Sequence, residues 1–262
     1  MTRGSGLGML RAVFRPVVPA LLALTLCLCA FGCSSGTETG NPPFQAELSY
    51  GALSSAPLLI GVGEPGSEGV VESAWLDLGA VSLIGVGSCA EPEPMGILVP
   101  ALGVGDHASG KHNSTQFPLA ASEYCGLDLP FLRAMPQDIQ NGVPKELEEH
   151  SVMLEGALAD GTPFTLLAPA TPTVRLKADA GGFEISQQHA KTLITFDVAT
   201  WLANLDWSNA KRIDGAIVIS ADDNPALLAQ FESNLARGVA LYRDADGDGK
   251  LDTDPVRLAH GE

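Results

Sequence analysis

The sequence predicts a mostly β protein: a β-sandwich-like domain with one or two short helices near the C-terminus. Two observations carry that expectation. Gly and Pro number 29 and 18 in 262 residues, so turn signals recur too often for long helices. Between them, short apolar segments repeat along the chain, the pattern of a sandwich. The 45% hydrophobic content with 18% charged residues supplies enough apolar material for a core and excludes a disordered chain.

Strands are expected over residues 45–50, 57–62, 70–86 (bent near Gly79), 96–102, 124–131, 151–158, 162–167, 173–177, 182–185, 192–196 and 215–220. Ala159-Asp160-Gly161 makes the clearest hairpin, because Asp-Gly supplies the positive φ that tight hairpin turns require. Pro163 has no N–H to donate and points its strand to a sheet edge. Asp197 is placed to cap a helix over 198–205 that buries Trp201 and Leu202. Asn224 followed by Pro225 reads as a cap with Pro at the first helical position. From there Leu227, Leu228, Phe231, Leu235 and Val239 recur at helical spacing.

The N-terminus addresses the chain for export. Arg3, Arg11 and Arg15 precede an apolar run over 17–32 that ends in small residues, the order of a signal peptide. Pro19 interrupts the run, which is shorter than the roughly 20 residues of a membrane span. Ala30-Phe31-Gly32-Cys33 resembles a bacterial lipobox, with Gly32 as the small residue before the cysteine. The polar stretch 34–43 then cannot build a core and reads as a flexible tether. This opening resembles lipoproteins of large-genome Gram-negative bacteria. The resemblance implies lipidation of Cys33 and, with Ser34 rather than Asp next, the outer membrane as destination. Three acyl chains exceed what stable attachment needs.

The expected organisation is a signal peptide over 1–32, a lipidated tether over 33–44, a globular domain over 45–243, a loop over 244–255 and a tail over 256–262. Losing 1–32 removes three of 15 basic residues and no acid, leaving 12 against 31, a net charge of −19. Such a surface repels nucleic acid and attracts divalent cations. Cys89 and Cys125 are the two cysteines left once Cys33 is lipidated, and outside the cytoplasm a pair oxidises.

Asp244, Asp246 and Asp248 occupy the first, third and fifth positions of a loop with Gly249 at the sixth. Carboxylates at that spacing turn to one centre, and the glycine allows the sharp turn that returns later groups. The Lys250 carbonyl and Asp252 fall at the seventh and ninth positions. An all-oxygen set suits a hard cation, here one Ca²⁺. The segment resembles the loops of EF-hands and of dockerin-type and thrombospondin-type calcium repeats. It differs at the twelfth position, where Pro255 replaces the bidentate acid and Asp254 lies one place early as a substitute. The expected role of the ion is to fasten the tail to the preceding helix.

Other motifs fail on context. Gly61–Gly66 matches GxGxxG but opens no helix. The glycines over 105–110 with Lys111 lack the Ser/Thr of a phosphate loop. The histidines are scattered, and there is no nucleophile elbow. No catalytic constellation emerges. The expectation is therefore a non-enzymatic, calcium-stabilised envelope lipoprotein with a structural, adhesive or binding role. Its partners would be the membrane, through the anchor, and a cell-surface glycan or protein. The alternatives are a polysaccharide- or peptidoglycan-binding module and, with less support, an envelope hydrolase. Trp75, Trp201 and Trp207 read as core.

Overall fold

Alternation along the strands builds two sheets. The computed structural model describes residues 42–52, 58–61, 68–91, 94–109, 113–139 and 142–262. Cys33, the signal segment and the tether up to residue 41 lie outside the described residues, and Phe44, expected as the end of the tether, opens the first strand. The strands are β1 Phe44–Ala52, β2 Leu58–Gly61, β3 Glu68–Leu78, β4 Val81–Gly85, β5 Gly96–Val99, β6 Gly103–Asp106, β7 Asn113–Leu119 and β8 Ser122–Pro130. They continue with β9 Val152–Ala157, β10 Pro163–Ala168, β11 Thr173–Ala178, β12 Phe183–Ile185, β13 Lys191–Phe196, β14 Arg212–Ile213, β15 Ala216–Ile219, β16 Val239–Arg243 and β17 Arg257–Gly261. Two helices stand late in the chain, α1 Val198–Leu202 and α2 Pro225–Asn234.

One sheet has ten strands in the order β5-β4-β8-β11-β17-β16-β13-β1-β7, with β12 on β8. The other has seven, β14-β15-β10-β9-β3-β2, with β6 on β3. Their inner faces meet in one large core that includes Leu48, Leu76, Leu127, Leu166, Ile194, Phe196 and Leu241. A second, smaller core lies on the outer face of the seven-stranded sheet. There Ala134 and Leu147, from the long β8–β9 connection, bury Met153, and Trp75 and Val104 pack against them. This double cover explains why β9 buries Val152, Met153 and Leu154 in succession instead of alternating.

The mostly β architecture with few helices is as the sequence predicts, and the expected strands are present within a few residues. The Asp160-Gly161 turn joins antiparallel β9 and β10, with Gly161 at φ +80°. Cys89 and Cys125 form a disulfide with Cα atoms 6.1 Å apart, linking the end of the 3-10 turn after β4 to β8, 36 positions along the chain. Closing such a loop stabilises a fold by about 3–4 kcal/mol in the chain-entropy account.

Two local expectations are corrected. Pro163 does not put β10 at an edge, since β10 lies between β9 and β15. The proline stands at the first residue of the strand, where a ladder N–H is least needed. The helix does not extend to Val239. It ends at Asn234, and a 3-10 turn over Ala236–Gly238 leads into β16. The cause is tertiary: the Trp201 indole N–H donates to the Leu235 carbonyl at 2.8 Å, and the ring lies so close to Gly238 that any Cβ there would collide. Trp201, buried against Phe131, Phe196 and Phe231, thus turns the chain from helix to strand.

Two of the buried ionisable groups, His107 and Asp77, make stability depend on pH. His107 is 2% exposed, and burial pushes it down to about 3. Asp77 is 6% exposed, and burial, with Asp138 nearby, pushes it up to about 6. Unfolded His107 takes up its proton near 6.5 while the folded group refuses it, so stability falls as pH drops below about 6.5. Asp77 acts in the opposite sense: the folded group is protonated below about 6 and the unfolded one only near 3.9, so it adds stability on acidification. Urea unfolding between pH 7 and 4 should therefore show a flatter acid loss in His107→Leu, by about 1.4 kcal/mol per pH unit at most. Asp77→Asn should steepen the same loss.

Candidate metal centre

The connection between β16 and β17 holds the aspartate loop. These strands pair antiparallel, Ala240 opposite His260 and Leu241 opposite Ala259. The Arg243 amide continues the ladder to the Val256 carbonyl at 2.9 Å. At the loop's start the Asp244 amide bonds to the Lys191 carbonyl at 3.2 Å, which ties it to β13. The loop is thus the end of a hairpin, with β16 paired to β13 and β17 paired to β11. Residues 256–262, expected as a tail, contain a strand inside the ten-stranded sheet.

Asp244 is the interior residue of the loop, 3% exposed. Its two carboxylate oxygens accept the amides of Gly247 at 2.7 Å and Gly249 at 3.1 Å. Both glycines have positive φ, +75° and +72°, a conformation that costs other residues strain. Burial raises the Asp244 carboxyl above its ordinary value. The two amides oppose the rise, and the charges of Asp246 and Asp248 add to it. Asp246 accepts the Asp248 amide at 3.1 Å, and Asp248 accepts the Lys250 amide at 2.8 Å. Asp252 closes the loop by accepting the Ala245 amide at 3.0 Å.

Asp244, Asp246 and Asp252 bring ligand oxygens within 4.8 Å of one another, the only such group of His, Cys, Asp or Glu among the described residues. Asp248 stands outside that group, with the Lys250 ammonium 3.8 Å from its carboxylate. Asp254 is exposed and has no hydrogen bond or ion pair among the described residues. The donor set is all carboxylate, which fits a hard cation.

Sequence reasoning missed a second polar site. Tyr50, Trp75, Asp106, His107 and Asn113 border a cavity of about 400 Å³. The Tyr50 hydroxyl donates to the Leu102 carbonyl at 3.1 Å and accepts from the Asn113 amide at 2.5 Å. No spacing signal unites these residues, since they come from β1, β3, β6 and β7 and the turn after β6.

No protein-family model and no curated protein matches the chain. Among solved structures, MbnP from Methylosinus trichosporium is similar at 16% identity and a TM-score of 0.42, covering 84% of this chain and 98% of that one. At that level the likeness carries no argument about function. No described helix is long and apolar enough to cross a membrane.

The geometry ranks the aspartates without reference to any ion. Asp244→Ala leaves two amides of a buried turn without acceptors, at about 1–3 kcal/mol. Asp254→Ala removes an exposed side chain with no partner and should stay within about 0.5 kcal/mol of wild type. Chemical denaturation in chelator-treated buffer should separate the two.

Proposed function

We propose that this chain is a calcium-stabilised, lipid-anchored lipoprotein of the bacterial envelope, with a structural or binding role rather than a catalytic one. The observation that carries the reading is the convergence of Asp244, Asp246 and Asp252 in the connection between two strands of the ten-stranded sheet. Three carboxylates so close repel one another unless a cation joins them. A hard divalent ion accepts such an oxygen set, and an exported protein meets calcium at high concentration. Asp248, the Lys250 carbonyl and Asp254 complete the proposed ligand set after a small rearrangement of the loop. In this position the ion clasps β17 to β16 and so closes the sheet, in place of the tail-to-helix fastening expected from the sequence.

The export signal and Cys33 support the anchor, and Ser34 supports the outer membrane as its destination. The tether over 34–43 would hold the β domain away from the lipid surface.

Without a twelfth-position acid the affinity should be modest, about 10⁻⁴ to 10⁻³ M. At about 10 mM calcium, linkage then gives about 1.4–2.7 kcal/mol, or about 3–10 °C in melting temperature. Magnesium should do less, and Asp246→Ala should abolish the shift. Calorimetry that detects no calcium binding up to tens of millimolar, about a decade above the expected affinity, would reduce the loop to an acidic turn. For the anchor, radiolabelled palmitate should enter the wild-type protein in a Gram-negative host and not Cys33→Ser. Equal labelling of both would contradict lipidation at that residue.

A further inference from the structure

The least satisfied side chain of the core lies apart from the aspartate loop. Both ring nitrogens of His107 are buried, and neither has a hydrogen-bond partner. Its ring is packed between Tyr50, at 4.8 Å between centroids, and Phe196, at 5.0 Å. A leucine would fill that space without an orphaned donor and acceptor, so the imidazole is costly unless something else pairs with it.

His107 borders the 400 Å³ cavity. That volume falls in the range of small-molecule sites, about 300–1,000 Å³. Among the described residues the charge of the walls is one-sided. Asp106 is the ionisable acid of the lining, and no described lining residue is cationic. One oxygen of Asp106 accepts the amides of Ala74 and Ala108, each at 3.0 Å, and its other oxygen receives no described donor. The charge of Asp77 also acts on Tyr50. Asn113 spends its amide nitrogen on Tyr50 and on the Val104 carbonyl, which leaves its amide oxygen as a further acceptor. Among the described lining residues Asp106 and Asn113 thus keep acceptor oxygens, and two aromatic rings, Tyr50 and Trp75, line the same space. A metal ion fits less well, because among the described residues the ligand atoms of three His, Cys, Asp or Glu residues do not converge here.

We propose that this cavity binds a small organic amine as its ammonium ion, with Asp106 as the counter-charge, Asn113 as an acceptor, and the Tyr50 and Trp75 rings as walls. An ammonium group carries three donors and no acceptor, which suits the acceptor oxygens of Asp106 and Asn113. Cations are favoured against Trp and Tyr faces. Burial keeps His107 neutral at ordinary pH, so its ring adds no competing positive charge behind the wall. Anions are repelled by Asp106 and Asp77. The inference does not depend on calcium at the hairpin loop.

The test uses the mature chain with calcium present and, separately, with chelator. 1,4-Diaminobutane and benzylamine are titrated by calorimetry, with 1-butanol and acetate as neutral and anionic probes. At least one amine should bind in both buffers, and butanol and acetate should not. Asp106→Asn keeps the acceptor for the two amides yet should weaken amine binding by about tenfold or more, as loss of a charge-assisted partner does. Asn113→Ala should weaken it as well. Should that variant unfold, the ¹⁵N ring resonances of wild-type His107 should shift on titration. No amine binding up to about 50 mM, equal binding of acetate, or unchanged binding in Asp106→Asn would each overturn the proposal.

Discussion

The ten-stranded sheet depends on where its last strand goes. β17 is the final strand of the chain, yet it sits between β11 and β16. Each side of it satisfies backbone groups of a neighbour, so without β17 both neighbours would expose edges inside the domain. The hairpin that delivers β17 ends in a loop crowded with aspartates, five within 244–254. Mutual repulsion works against closing that loop. Four of its acids answer by accepting five backbone amides, from Ala245, Gly247, Asp248, Gly249 and Lys250. The backbone thus supplies partial positive charge, and a bound cation would supply the rest.

The same economy of position appears around Trp201. It fills the core beside Phe131, Phe196 and Phe231. Its indole N–H holds the Leu235 carbonyl, and its ring demands a glycine at 238. One residue therefore packs the core, caps a helix C-terminus and sets the start of β16, which leads into the aspartate loop. The large core and the loop are coupled through a five-residue strand.

Much of this was legible in the sequence because it is local. Turn residues bracket the strands, Asp160-Gly161 marks a hairpin, and Asp244, Asp246, Asp248 and Gly249 carry their spacing openly. What was not legible is tertiary. Val239 continues the helical spacing of Leu227, Leu228, Phe231 and Leu235, and only the approach of Trp201 to Gly238 ends that helix. β6 and β7 are rich in Gly and polar residues, so they show little alternation, yet they form ladders on β3 and β1. β17 is short and follows an acidic loop, which disguised it as a tail. The cavity at His107 draws on strands distant in sequence, and no pattern in the chain joins Tyr50 to Trp75 or His107.

The central claim is that the aspartate loop, filled by calcium, clasps β17 into the sheet. Hydrogen exchange of the backbone amides of Leu258, Ala259, His260 and Gly261, compared with and without about 10 mM calcium, well above the affinity expected of such a loop, tests it most directly. The account predicts slower exchange at these amides and at their partners in β11 and β16 when calcium is present, with little change in the distant β2 and β14. Calcium binding that leaves the exchange of β17 unaltered would contradict it.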